Sequence, residues 1–399
     1  MKKSKLLLAA CAATLACLLS SCNWGAPDLL GSIQEIPAPV AGESSVPNLA
    51  VGPNGETYLS WIEISSTGTR SLKFSTRTAE GWSPARSIVE GETLFENWAD
   101  FPSLFVLPEG RLAAHWLATV PGRGGYSVAI AVSQDKGETW SAPLTPHRDA
   151  TQTEHGFVSL VPANNGIAVL WLDSRKLEKG SDNVSLMYTN VSLDGQLGME
   201  AEIDDRVCEC CQPSSIATSS GVLTVYRDRS QDEIRDIVIT RFDGSQWSAP
   251  KTVADDSWRV FACPIQGPAI SAAGQHVAVA WFTAANEMPR VKVALSADGG
   301  KTFSSPIQVD EGDPLGRVDV AATENGGAIV TWIEHTPRGG EVRARQVDAG
   351  GQAREPVTVG KTSLGSASGF PRVERSGNSI VFAWTDTNEH RIRTAVGGE

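Results

Sequence analysis

The chain has 399 residues and a formal net charge of −12, with 46 acidic against 34 basic side chains. An acidic balance of this size lacks the basic footprint that nucleic acid or an anionic lipid surface would require, so neither is expected as the main partner.

Met1 to Ser21 reads as an export signal. It has a basic start at Lys2, Lys3 and Lys5, an apolar stretch from Leu6 to Leu19, and small residues before Cys22. Leu19-Ser20-Ser21-Cys22 resembles a lipobox, in which Cys22 becomes the acylated first residue. Asn23 rather than Asp follows it, which in Gram-negative lipoproteins implies sorting to the outer membrane, facing periplasm or cell surface. Cleavage removes three lysines and no acids, leaving 378 residues with a charge of −15. Residues 22–31 read as the lipidated cysteine and a tether, and no later stretch is long and apolar enough to span a bilayer.

From Ser32 onward the text is periodic. Seven apolar strands each carry an aromatic marker: Trp61, Trp116, Trp171, Tyr226, Trp281, Trp332 and Trp384, separated by 55, 55, 55, 55, 51 and 52 residues. A small sheet cannot bury both faces alone, so a fixed period of this length means stacked copies. Each unit opens with an apolar run (Pro47–Val51, Pro102–Val106, Val158–Val161) before the marker strand. An alternating strand follows (Val128–Val132, Ile237–Thr240, Val291–Leu295), and then a strand often announced by Trp-Ser-Pro or Trp-Ser-Ala-Pro. Four short strands per unit predict an all-β fold, one β-propeller of seven blades over residues 32–399. The seventh unit stops after three strands. Ser32–Val40 is expected to supply the fourth and close the ring, leaving no long free edge. A single closed ring of this kind is expected to be a monomer.

Two turns, Ser133-Gln-Asp135-Lys-Gly137-Glu-Thr139-Trp140 and Ser296-Ala-Asp298-Gly-Gly300-Lys-Thr302-Phe303, place a carboxylate where it can accept backbone N–H groups of a hairpin. They resemble the Asp-box of the sialidase superfamily, with weaker relics at Asp243–Trp247 and Glu80–Trp82. The resemblance implies a propeller, for which six blades are usual in the catalytic domain, and a structural role for Asp135 and Asp298. Family enzymes hold a substrate carboxylate with three arginines and attack with a Tyr activated by Glu, aided by an Asp. Here the tyrosines are only Tyr58, Tyr126, Tyr188 and Tyr226, none in the late blades where the nucleophile belongs. The early Arg-Ile-Pro motif is also missing, the nearest text being Phe101-Pro-Ser-Leu. A glycoside hydrolase of this type would use Arg317 and Arg372 on a carboxylated sugar, with Asp228 as proton donor.

Cys208, Cys210, Cys211 and Cys263 remain after the signal peptide and Cys22 are set aside. Cys208 and Cys263 lie one period apart, and Cys210 lies one period from His155, which gathers all five at one mouth of the channel. Three readings stand: disulfides in an exported protein, a soft-metal set for copper or zinc completed by His155, or a thiol-redox site. A bond between Cys210 and Cys211 would suit the last. Between equivalent points on adjacent blades, the separation is expected to lie somewhat beyond disulfide reach unless the loops bend inward. Beside the cysteines runs a dense charged loop in which Arg227, Arg229, Asp232, Glu233 and Arg235 could grip an anionic ligand, a glycan or a protein partner. The same Cys-x-Cys-Cys and Arg/Asp-rich combination is similar to a group of bacterial exported sialidase-like proteins.

Overall fold

The computed structural model describes residues 28–120, 125–163 and 166–398. The export signal and Cys22 lie outside the described residues. Seven antiparallel sheets follow one another around a central channel, and the described regular structure beyond strands is short 3₁₀ turns.

Blade 1 is built on Glu43–Val51, Thr57–Ile64 and Arg70–Thr78, blade 3 on His155–Ala163, Gly166–Asp173, Val184–Ser192 and Ala201–Val207, and blades 4 to 6 repeat the four-strand order. Blade 7 takes Arg372–Ser376, Ser379–Asp386 and Arg391–Gly397 from the C-terminus and Gln34–Ile36 from the N-terminus, with Gln34 opposite Val396. The ring is therefore closed by the N-terminal strand within the expected Ser32–Val40, and the blade number is seven rather than six. The Arg393 guanidinium fastens the seam by donating to Glu35 at 2.9 Å.

The core is divided into seven clusters that fall between successive blades. Each marker aromatic packs against the blade before it: Trp116 with Leu72 and Phe74, Trp171 with Val128 and Ile130, Tyr226 with Leu170, Trp61 with Val381 and Ala383 across the seam. The markers are at most 4 % exposed. A buried indole N–H needs an acceptor, and an acid two residues on often supplies it. Trp61 donates to Glu63 at 3.2 Å, Trp171 to Asp173 at 2.8 Å, and Trp332 to Glu334.

The Asp-box turns lock adjacent blades on the lower face. Asp135 Oδ1 accepts Thr139 N–H at 2.9 Å, Oδ2 accepts the Thr139 hydroxyl at 2.6 Å, and the Ser133 hydroxyl accepts Gly137 N–H at 2.7 Å. Gly137 has φ +84°, and a Cβ there would stand 2.3 Å from the Phe74 ring of blade 1, so only glycine fits on both counts. These hydrogen bonds hold Asp135 down at about 2 and Asp298 lower still. Neither carboxylate belongs to a site.

Blade 2 departs from the pattern. Its innermost strand is broken, with Leu94–Phe95 and Ser103–Val106 both paired to Leu112–Thr119, while residues 96–102 loop out between them. Its outer strand shrinks to one bridge, Ile130 with Leu144.

A chain lacking residues 28–36 should keep six complete blades but expose the edge of Arg391–Gly397. We expect its thermal midpoint to fall by about 5 °C or more and dimers to appear in sedimentation velocity, as an unpaired edge recruits another strand.

Candidate functional site

The innermost strands line a channel of about 510 Å³. Side chains stitch these strands together where the sheets diverge: Asn48 accepts Leu104 N–H, Ser214 accepts Ile270 N–H at 3.3 Å, and Asp319 accepts Val373 N–H at 3.0 Å. Blades 1, 3 and 6 all carry a bulge where the innermost strand begins on the upper face, and Val46, Phe157 and Arg317 sit there at φ +48°, +52° and +58°. Non-glycine residues in that region cost about 1–3 kcal/mol each, so tertiary contacts must hold them.

The looped-out residues of blade 2 roof this upper mouth. Trp98 stacks on Phe370 of blade 7 with centroids 6.4 Å apart, and Phe101 meets Phe370 at 5.4 Å. Arg317 lies 4.6 Å from the Trp98 ring, and Arg372 lies 3.9 Å from the Phe101 ring. The two arginines have different fates. Arg317 Nη1 donates to Gly365 O at 2.9 Å and to the Ser368 hydroxyl at 2.5 Å, and its backbone N–H is held by Gln266. Buried against neutral acceptors, it titrates at about 10, because desolvation disfavours its charge. It is a fastener of the roof.

Arg372 lies inside the channel. Its Nε reaches Pro47 O at 3.3 Å, Nη1 is 3.9 Å from Asp319, and Nη2 has no partner among the described residues. Glu374, two residues along the same strand, lines the same channel. Burial, aided by the Asp319 charge, pushes its carboxyl up to about 8, and burial also raises Asp319. The channel thus holds a cation with a free donor, an acid protonated at neutral pH and a second carboxylate. Asp319 and Glu374 were missed in the sequence, although the spacing Arg372-Val-Glu374 places that pair on one strand face.

Asp228 is not brought to either arginine. It is half-buried at the top of blade 4 near Asp204, Asp236 and Arg206, and desolvation lifts it to about 6. The charged loop around it is closed on itself. Arg227, 1 % exposed, donates to three carbonyls, Gln266 O at 2.8 Å, Arg235 O at 2.6 Å and Phe282 O at 2.6 Å, and lies 4.7 Å from the Trp258 ring. Burial brings it down to about 9. Glu233 collects Arg206 at 2.9 Å, Arg229 at 2.9 Å and Arg235 at 3.0 Å, and Arg229, with Arg235, holds its carboxyl at about 2. The expected gripping arginines are therefore engaged within the chain, and of the five residues only Asp232 is exposed without an ion pair among the described residues.

The cysteines pair as Cys208–Cys211 and Cys210–Cys263, with Cα separations of 5.6 and 6.1 Å. The loops bend inward far enough for the second bond to cross from blade 4 to blade 5. The vicinal Cys210–Cys211 bond is not the one formed. His155 does not join the sulfurs. It stacks on His147 at 3.8 Å and meets Asp149 at 3.0 Å, beside Asp173 and Arg175. His147 in turn bonds Ser127 at 2.7 Å and Asp149 at 3.0 Å, and its burial drops it to about 4, a neutral ring. Arg175, with Nη2 2.6 Å from Asp173 and 3.3 Å from Asp149, is the cation of that cluster.

No family model matches the chain, and no curated protein matches it. Among solved structures it is similar to a protein of unknown function from Dyadobacter fermentans, at 15 % identity over 89 % of this chain and 94 % of that one, TM-score 0.50. An α-L-arabinofuranosidase from Fusarium graminearum matches at 12 % identity over 92 % and 98 %, TM-score 0.50. Trypanosoma rangeli sialidase matches at 13 % identity over 80 % of this chain, which spans only 57 % of that enzyme, TM-score 0.49. At such identity the likeness is one of fold alone, and the chain is a seven-bladed propeller.

Glu374 gives the structure a pH signature. Its folded value of about 8 exceeds the ordinary 4.5, so the folded state binds the extra proton between those limits and stability falls as pH rises through the window. We expect the wild type to lose up to about 1.4 kcal/mol per pH step between 5 and 8 from this group. Denaturant unfolding at pH 5.5 and 8.5 should show the slope flattened in Glu374→Gln.

Proposed function

We propose that this chain is an exported, lipid-anchored propeller that takes a small anionic saccharide into its channel. Arg372 receives the anionic group, Glu374 serves as the proton donor and Asp319 as its carboxylate partner. The carrying observation is the free Nη2 of Arg372, buried against Phe101 and flanked by two channel carboxylates of raised pKa. A guanidinium is suited to a carboxylate because its donors form a planar fork, and Nη2 is the donor left for a ligand. Two acids in one site, one of them protonated at neutral pH, are what proton transfer to a glycosidic oxygen requires. The propeller glycosidases named above support a saccharide as the ligand class by analogy of fold. The proton-donor role moves from Asp228 to Glu374 because Glu374 shares the channel with Arg372. In this reading Cys22 carries the lipid that holds the protein at the outer membrane.

Calorimetric titration with sialic acid and with hexuronic acids, together with an aryl-glycoside panel that includes sialosides, tests the site. Binding by the wild type should weaken at least about tenfold in Arg372→Ala, the loss of a charged hydrogen bond of about 1.5–3 kcal/mol. Glu374→Gln should retain binding and lose turnover. Absence of binding and of hydrolysis across both panels would overturn the proposal. Separately, metabolic labelling with a fatty-acid analogue should mark the wild type and not Cys22→Ser, which should be released from the membrane fraction.

A further inference from the structure

Arg229, Glu233 and Arg235 are spent on one another and Arg227 on backbone carbonyls, yet they surround a feature that the saccharide reading does not use. All four sulfurs form one continuous cluster. Cys208 Sγ lies 3.9 Å from Cys210 Sγ, so the two disulfides touch through these atoms. Cys208 and Cys211 are each 1 % exposed and Cys210 is 8 % exposed, whereas Cys263 is at the surface. Nη1 of the buried Arg235 guanidinium approaches Cys208 Sγ at 3.6 Å and also donates to Glu209, while Nη2 donates to Glu233. Phe261, two residues from Cys263, is 80 % exposed.

We infer that this cluster is a thiol–disulfide relay, in which the exposed Cys210–Cys263 bond accepts electrons from a dithiol and passes them to the buried Cys208–Cys211 pair. The bond sequence balances. An external dithiol, the class of reductant that the relay requires, attacks Cys263 Sγ and releases Cys210 as thiolate. Its second thiol then resolves the mixed disulfide, leaving an oxidised external disulfide and a free Cys263. The Cys210 thiolate attacks Cys208 Sγ, breaking Cys208–Cys211, forming Cys208–Cys210 and expelling Cys211 as thiolate, which takes up a proton. Cys263 then attacks Cys210 Sγ, restoring Cys210–Cys263 and expelling Cys208 as a thiolate beside Arg235. Two electrons have moved from the external dithiol to the buried pair. One of the two dithiol protons resides on Cys211, and the other is released to solvent.

Three features of the cluster make this the path. A thiolate must reach the sulfur that it attacks, and nearly complete burial denies an external dithiol Cys208 and Cys211. The 3.9 Å contact supplies an internal attacker instead. Exchange also runs faster and further when the departing thiolate is stabilised, and the Arg235 guanidinium 3.6 Å from Cys208 Sγ is placed to donate a charge-assisted hydrogen bond to a thiolate there. Phe261 offers an apolar contact next to the one accessible sulfur, which suits a protein dithiol carried on a surface with an apolar rim. The inference does not depend on any saccharide in the channel.

The test uses the mature protein in detergent, reduced with dithiothreitol and quenched at intervals by alkylation, with thiols located by mass spectrometry. The wild type should pass through a species alkylated at Cys211 and Cys263 but not at Cys208 or Cys210, the footprint of the transient Cys208–Cys210 bond. In the double variant Cys210→Ser, Cys263→Ser, reduction of Cys208–Cys211 should slow at least tenfold. Arg235→Gln should shift the equilibrium of the buried pair about tenfold toward the disulfide, about 30 mV more reducing for a two-electron couple. Absence of that species in the wild-type quench would overturn the relay, and this arm does not depend on whether a variant folds. An unchanged rate in a double variant with wild-type circular dichroism would also overturn it, as would four thiolates holding stoichiometric zinc or copper in the isolated protein.

Discussion

The insertion of one large aromatic from each marker strand into the face of the preceding blade is the contact on which the rest of this structure depends. Each blade alone would leave both faces wet, so none is stable until its neighbours arrive. The seven markers turn that need into a ring, because every one reaches backward and the first, Trp61, reaches the last blade. An indole brings an N–H that must be paired, and the acid two residues further on takes it in blades 1, 3 and 6. These acids then draw cations: Lys73 lies on Glu63 and Arg175 on Asp173. Much of the charge on the upper rim is thus a consequence of packing tryptophan, and a rim rich in Arg and Asp is not of itself a binding surface.

The same logic separates the arginines of the upper face. A guanidinium taken out of water needs its donors met, and the chain meets them with carbonyls for Arg227, with carbonyls and the Ser368 hydroxyl for Arg317, and with Glu209 and Glu233 for Arg235, whose Nε keeps no partner among the described residues. Arg227 joins blade 4 to blade 5 through Phe282 O, and Arg317 ties blade 6 to the turn before blade 7. Arg372 differs in lining the channel. It is packed against Phe101 and Phe370 as firmly as the others, yet it keeps one donor unmet within a channel that also holds two acids.

Periodicity carried the fold because one marker per blade is enough to count blades, and because the odd fourth strand of the last unit had an obvious donor at the N-terminus. The channel chemistry was harder to see. Marker spacing stays at 55 residues from Trp61 to Trp116 although residues 96–102 loop out within that interval, so the count does not register the loop. Nothing in the spacing announces a roof of Trp98 and Phe101. Bulges hid the rest. At the bulge Arg317 takes a left-handed backbone and turns up into the roof, while Arg372 stays in a regular strand facing the channel, so two arginines with the same Arg-Val-acid pattern part company. The cysteines were legible as neighbours but not as partners, since the period fixes which blades they join and only the loop path fixes which sulfurs meet.

The cysteine cluster and the channel share a physical cause. In blades 3 and 6 the upper beginnings of the innermost strands are bulged, and in blade 2 the strand is interrupted. Seven strands converge there, and straight strands with full side chains would collide around the axis. The chain resolves that crowding differently from blade to blade. Blade 2 folds its excess over the opening as an aromatic roof, blade 6 turns an arginine into that roof, and blades 4 and 5 cross-link their approaches through Cys210 and Cys263. Gln212, which follows the last cysteine of the run, donates to Val158 O at 2.6 Å, and Gln266, three residues after Cys263, holds the backbone of Arg317. Three residues of chain separate Cys263 from Gln266, whose Oε1 accepts the Arg317 N–H, so the disulfide staple and the fastener of the aromatic layer above Arg372 are built on one segment.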